Sequence, residues 1–303
     1  MRFNKYIIAF GLLLTGVTSM AQQDPNFALY RYNMQLINPA YAGAIDGPEG
    51  TIADTGSEVG INIKSQFAGI DGAPETQSLF FGTGVDKNLG LGVSIINDRT
   101  FIENQTFIGV DFSYRLQFSP KTNLFLGLKA GANSYNVNTN GLTTFDIGVD
   151  PSLVNLEGTF SPNFGLGAYL KGASYFLAFS IPKIINNSRL EQDGNTASLG
   201  RSRSHVYLAG GYDFKISKTI VFKPSTLFRY VDAAPLSVDL TGSFSFNNLV
   251  DLGLSYRFDE GINTLVAFKF KVLDIGYSYG FTKQNIIAEG SNGSHEVFMK
   301  LRI

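Results

Sequence analysis

From Glu58 onward the chain alternates apolar and polar residues in short runs, each bounded by glycine, proline, asparagine or aspartate. Period-two alternation marks a strand with one greasy and one wet face. The clearest run sets Ile108, Val110, Phe112, Tyr114, Leu116 and Phe118 against Gly109, Asp111, Ser113, Arg115 and Gln117. Read in this way, the sequence predicts fourteen strands, at 58–67, 76–85, 89–97, 108–118, 124–133, 163–171, 175–181, 205–214, 219–230, 236–246, 249–258, 263–271, 273–282 and 294–303. Connections after strands two, four, six, eight, ten and twelve are short, while the long ones follow strands one, five, seven and thirteen. An even strand count, with tight turns on one side and long loops on the other, is the layout of a bacterial outer-membrane barrel. Both chain termini are then expected on the periplasmic side. Pro224 lies inside the ninth strand and cannot donate to a ladder, so a bulge is expected there.

Ahead of the strands, Gln22 to Gly43 (QQDPNFALYRYNMQLINPAYAG) follows a different period. Phe27, Tyr30, Met34 and Ile37 fall three or four residues apart, the spacing of one helical stripe. Asp24 followed by Pro25 reads as a helix start, since the carboxylate can cap free N–H groups and proline loses nothing at the first position. Asn38-Pro39 disfavours continuation. Such a segment either covers a sheet edge or docks into the barrel as a plug. A closed barrel has no edge to cover, which favours the plug. Ala44 to Ser57 reads as a loop.

Composition narrows the class. Only 16% of residues are charged, while Gly (33), Phe (26) and Tyr (14) are abundant, which suits small lumen residues and aromatic interface girdles. Past the N-terminus no apolar run approaches the ~20 residues of a spanning helix. Residues 1–21 read as a secretory signal, with Arg2 and Lys5 before the apolar run Tyr6 to Val17 and a small-residue site at Ser19-Met20-Ala21. The chain has no cysteine, so disulfides, a lipid anchor and thiolate metal sites are excluded. Removing the signal changes 24 cations against 25 acids to 22 against 25, a net of −3, and nothing suggests nucleic acid.

Charge placement supports the barrel. Asp111, Arg115, Lys129, Lys171, Asp213, Lys223, Arg229, Asp239, Asp251, Arg257, Lys269, Glu296, Lys300 and Arg302 all take the parity opposite the apolar stripe. A lipid-facing Lys or Arg at mid-membrane costs about 2–4 kcal/mol, so these groups belong in the lumen. The fold class is therefore all-β, a transmembrane antiparallel β-barrel of about fourteen strands with a short N-terminal helical segment. Its parts are 1–21 (signal), 22–57 (helical or plug segment) and 58–303 (barrel).

The start QQDPNFALYRYNMQLINPAYAG, then QFAGIDGAPET, PNFGLGAYL, HVYLAGGYDF, LVDLGLSYR, DIGYSYGFT and the terminal GSHEVFMKLRI resemble the PorP/SprF family of Bacteroidetes outer-membrane proteins across nearly the whole mature chain. Two positions depart from the family pattern: Phe67 stands where it often has Trp, and Ile181-Pro182-Lys183 replaces a proline-histidine pair. The resemblance implies a non-enzymatic component of type IX secretion, supporting secretion or surface anchoring of large cargo such as gliding adhesins. It implies as partners outer-membrane lipid, cargo C-terminal domains and periplasmic secretion components, with no cofactor. The motif residues it singles out for a partner or plug role are Asp24, Pro25, Tyr30, Tyr32, Asn33, Asn38, Pro39, Tyr41, Gly43, Gly72, Pro74, His295 and Glu296. A passive porin or small-solute transporter is the alternative.

Candidate chemistry is otherwise thin. The two histidines, His205 and His295, raise the question of a serine–histidine–acid hydrolase, but Ser294 and His295 are adjacent on a strand and point to opposite faces. Asp46, Asp71 and Asp259 precede or flank turn glycines without calcium-loop spacing. Glycines 127 to 131 lie within a strand, unlike a phosphate loop. The polar loop with Arg189, Glu191, Asp193, Arg201 and Arg203 reads as solvated surface or a cargo contact.

Overall fold

A computed structural model describes residues 24–45, 56–138, 156–186, 188–190, 199–232, 234–258, 260–282 and 290–303. The export signal, Asp46, Glu191, Asp193 and Asp259 fall outside these. Fourteen antiparallel strands close into a barrel: β1 Gly56–Ser65, β2 Glu75–Gly84, β3 Leu89–Thr100, β4 Glu103–Ser119, β5 Thr122–Val137, β6 Leu156–Lys171, β7 Tyr175–Ile181, β8 His205–Tyr212, β9 Ile220–Val231, β10 Ser237–Phe246, β11 Val250–Arg257, β12 Gly261–Lys269, β13 Leu273–Thr282 and β14 Ser294–Arg302. Each pairs with its sequence neighbours, and β14 closes on β1 from Glu58↔Arg302 to Ser65↔His295. A two-residue stretch, Phe214–Lys215, continues β8, and Ser188–Leu190 with Leu199–Arg201 forms a separate hairpin in the β7–β8 loop.

Parity sorts the side chains as the alternation requires. Ile63, Val110, Leu128, Leu177 and Leu254 are exposed on the outer wall, where lipid replaces water as the apolar surround. Of the fourteen lumen charges read from the sequence, Asp111, Lys129, Asp239, Asp251 and Glu296 are each at most 2% exposed, and none of the others is exposed. Those that follow pair between adjacent strands along the lumen wall, Asp111 opposite Lys129 and Asp239 opposite Arg257. Lys129 lies 3.2 Å from Asp111, and Arg257 grips Asp239 through two bonds of 2.5 and 2.6 Å. Arg257 also reaches Glu260 in the β11–β12 loop at 2.9 Å. Burial raises the Glu260 carboxyl, but the Arg257 and Arg229 guanidiniums outweigh it and hold the group below its ordinary range. Aromatic rows flank the apolar band: Tyr212, Phe214, Phe222 and Phe244 run side by side at the short-turn end, and Tyr256–Phe258 and Tyr279–Phe281 pair at the other.

Several local readings change. The expected bulge at Pro224 is absent: Gly211↔Ser225 and Phe214↔Phe222 keep one offset. The ladder simply lapses on the β8 side, at Tyr212 and Asp213, and continues on the β10 side through Pro224↔Gly242, so the missing donor is accommodated by a gap. β4 to β6, at 16 or 17 residues, exceed the sequence reading, which ended where lipid-driven alternation ends. About 9–11 residues cross a bilayer, and the extra pairs, such as Asn104↔Asn136, are polar. The β10–β11 turn places Asn247 and Asn248 both at positive φ (52° and 53°) with Leu249 N bonded to Phe246 O, a type I′ geometry that matches strand twist.

Candidate functional site

Residues 24–45 lie inside the barrel, and nearly all are buried. The segment runs from the long-loop end at Asp24 to the short-turn end at Gly43, so Asp24 lies at the opposite end of the barrel from Arg302, against the expectation that both termini share one side. No helix starts at Asp24-Pro25. The Asp24 carboxylate is instead 2.9 Å from Lys183 and 3.6 Å from His205, both at the long-loop end, and its N–H donates to His205 Nε2 at 3.3 Å. These partners are 159 or more residues away in sequence, so a local capping rule had no access to them. The α-helix, α1, is only Met34–Ile37, followed by a 3-10 turn at Pro39–Tyr41. Asn38 ends α1 in extended backbone, as its position before proline requires.

The wall reads the segment's backbone. Glu296 accepts from the N–H groups of Ala28 (2.7 Å) and Leu29 (3.2 Å) and from Asn62 Nδ2 (2.9 Å), a carboxylate held by paired backbone donors. Lys64 donates to Asn26 O, Ser180 to Ile37 O (2.7 Å) and Ser113 to Ala42 O. In return the segment's side chains reach the wall. Tyr30 donates to Ser225 (3.0 Å), Arg31 pairs with Asp213, Gln35 donates to Phe81 O (2.7 Å) and Asn38 to Ala168 O (3.1 Å). Tyr32 donates to Asp251 at 2.7 Å, stacks on Phe298 and carries Lys269 over its ring. Tyr41 meets Tyr169 edge-on. Phe27, Tyr30, Met34 and Ile37, the stripe read as helical, all join one buried cluster with wall residues such as Phe80, Phe125 and Tyr207.

Close approach demands glycine at this contact. A Cβ at Gly127 would stand 2.2 Å from Ala40 N, and one at Gly167 would stand 2.1 Å from Asn38 Oδ1. The small lumen residues of β5 and β6 are thus the imprint of Asn38 to Ala40. Gly43, at φ +77°, turns the chain against Gly90 in a conformation side chains resist.

The remaining motif residues do not converge here. Gly72 and Pro74 sit in the β1–β2 loop at the opposite end from Gly43, where Gly72 O accepts from Phe101 N and Pro74 O from Gln66 N. His295 faces outward against Tyr277 and Tyr279, bonding Tyr277 OH at 2.7 Å, while its neighbour Glu296 faces the segment. Asn33 is fully buried and its amide has no hydrogen-bond partner among the described residues. The hydrogen bonds of His205 go to Asp24 and Arg203 O, so no serine nucleophile is aligned with it among the described residues. Those residues also hold no group of three His, Asp or Glu placed for a metal. Gln35, Ser113 and Ser180 were not singled out by the sequence; their parity or stripe gave position, but nothing in the pattern pairs a non-strand segment with a particular strand.

Comparison with known proteins agrees with this architecture. The family described as "Type IX secretion system membrane protein PorP/SprF" matches residues 19–301. No curated protein matches. Among solved structures, a deletion mutant of the TodX monoaromatic hydrocarbon channel aligns at a TM-score of 0.51 and 8% identity, covering 87% of this chain and 92% of that one. The Acinetobacter baumannii outer membrane protein Omp33 aligns at a TM-score of 0.46 and 12% identity, covering 82% and 98%. At 8% identity the likeness to the TodX channel is one of fold alone.

Proposed function

We propose, from the premise that this chain belongs to the PorP/SprF family of type IX secretion system membrane proteins, that it is a non-enzymatic outer-membrane accessory in the secretion or surface anchoring of large cargo. The cargo would be proteins such as gliding adhesins, engaged through their C-terminal domains, with periplasmic secretion components as further partners. The observation that carries this reading is the occupied lumen: residues 24–45 run through the barrel and bond to the wall from Glu296 near one end to Ser113 near the other. A barrel filled by its own chain is suited to holding partners at its rims and ill suited to passing solutes, which argues against the passive porin. The signal at 1–21 and the short, paired turns accord with short turns and the β14 end facing the periplasm.

Deleting the gene is expected to leave an adhesin-type cargo unsecreted or released from the cell, with permeability to small antibiotics unchanged. Complementation should restore display. Normal surface display of every such cargo in the deletion strain would overturn the proposal.

A further inference from the structure

Beneath Arg31 and Tyr32 the segment leaves the short-turn end of the lumen open as a vestibule of about 780 Å³. Eight of the side chains lining it are basic and three are acidic. The three carboxylates are already engaged: Asp213 by Arg31, Asp251 by Lys223 (3.4 Å) and Lys269 (2.7 Å), and Asp274 by Arg302, while Lys300 is held by Glu58 (3.4 Å). Lys215 and Lys271 stand exposed at the mouth. Among the described residues the short turns around it carry the same sign, with exposed Lys87, Lys121 and Lys218 against one exposed acidic side chain, Asp86. The long-loop end is mixed instead, with Asp24 beside Lys183 and Asp232 beside Arg203.

Shape and chemistry select the ligand. The vestibule is closed from above by Arg31, Tyr32, Met34 and Tyr41, so it is a place for binding and not for passage. Its volume lies in the ordinary range of ligand pockets, yet the positive field continues over the turns, farther than one small anion needs. The exposed cations at the mouth, Lys215 and Lys271, are lysines, hydrated point charges on flexible stems, which suit a run of carboxylates better than a single anion gripped by a guanidinium fork. We propose that this vestibule docks an acidic peptide segment of a periplasmic protein. The inference takes from the proposed function only that the short turns face the periplasm; its charge and shape stand independently of any secretion role.

The test uses the full-length protein in detergent, with fluorescence anisotropy of a labelled ten-residue peptide rich in Asp and Glu and of its Asn and Gln counterpart. The acidic peptide is expected to bind and its counterpart to fail. Affinity should fall with added salt as surface charges are screened and drop about tenfold or more in Lys215→Glu with Lys271→Glu, since charge reversal at a rim turns attraction into repulsion. Both side chains are exposed, and a gel-mobility shift on heating confirms that the variant barrel is folded; if the pair fails to assemble, Lys215→Gln and Lys271→Gln singly carry the test. Equal binding of the two peptides, or unchanged affinity in the variants, overturns the proposal. So does binding of phosphatidylglycerol vesicles without binding of the acidic peptide, which would assign the lysines to lipid. Because the assay needs no cargo, its failure is distinct from failure of the secretion reading.

Discussion

Deleting residues 24–45 is expected to turn a barrel that carries almost no current into one with stable conductance. The strands should still close, because every wall ladder runs between wall strands and none of the segment's hydrogen bonds to the wall belongs to a ladder. An eight-stranded barrel is filled by its own side chains and a sixteen-stranded one leaves an aqueous channel. Fourteen strands lie nearer the second, and the glycines that admit the segment, Gly127 and Gly167 among them, leave the emptied lumen wide. Water would then solvate Glu296 and Asp251, which lose their segment partners. In planar bilayers the full-length protein should be nearly silent and the deletion should show discrete steps at least about tenfold larger, on the scale separating filled from aqueous barrels. A folded deletion variant that stays silent would mean that the wall itself closes the pore.

Replacing Lys129 by Met should be the most damaging single change in the wall. Lys129 and Asp111 are almost fully shielded, at 1% and 0% side-chain exposure and 3.2 Å apart, and the ammonium also donates to Ser94 at 2.7 Å. Removing one member of such a pair leaves an uncompensated charge and costs about 3–5 kcal/mol. Gln35 of the segment donates to Asp111 at 3.4 Å, so the stranded carboxylate also disturbs the docked segment. The midpoint of urea unfolding, followed by gel mobility, should fall accordingly in Lys129→Met and recover in large part in Lys129→Met with Asp111→Leu. Equal stability of wild type and single variant would show that the pair is hydrated.

The alternation along the strands made the wall legible because lipid enforces it. A lumen charge displaced by one residue would face hydrocarbon, so parity placed Asp111, Lys129 and Glu296 correctly without any knowledge of their partners. Where lipid ends, so does the signal. The polar outer turns of β4 and β5, from Glu103 and toward Val137, read as loop although the ladder continues through them. The segment was legible only in part. Its apolar stripe identified what is buried, but the same spacing suggested a helix from Asp24, whereas tertiary contacts leave only Met34–Ile37 helical. Asp24 illustrates the reason: its charge is spent on Lys183 and His205, contacts that exist only once the barrel has closed around it. Gly72 and Pro74 share the resemblance with NPAYAG yet lie at the other end of the barrel, since a motif records that residues are kept together in a family and not that they touch.

The absence of native cysteine allows the location of the segment to be measured directly. A Cβ built at Gly92 stands 3.1 Å from Ala42 Cβ, a few tenths of an ångström under the separation of about 3.5–4.5 Å that a disulfide spans, and 2.3 Å from Gln35 Nε2, so the flexible end of the Gln35 side chain must swing aside. In cells producing the Ala42→Cys, Gly92→Cys variant, mild oxidation should join the two positions within one chain, read as a linked 42–92 peptide pair by mass spectrometry and as a loss of alkylation at both thiols. Ala42 sits in the lumen segment and Gly92 on β3, so the bond forms only with the segment docked inside the barrel. Two free thiols, both alkylated by a reagent confined to the periplasm in a barrel that is otherwise folded, would contradict the occupied lumen.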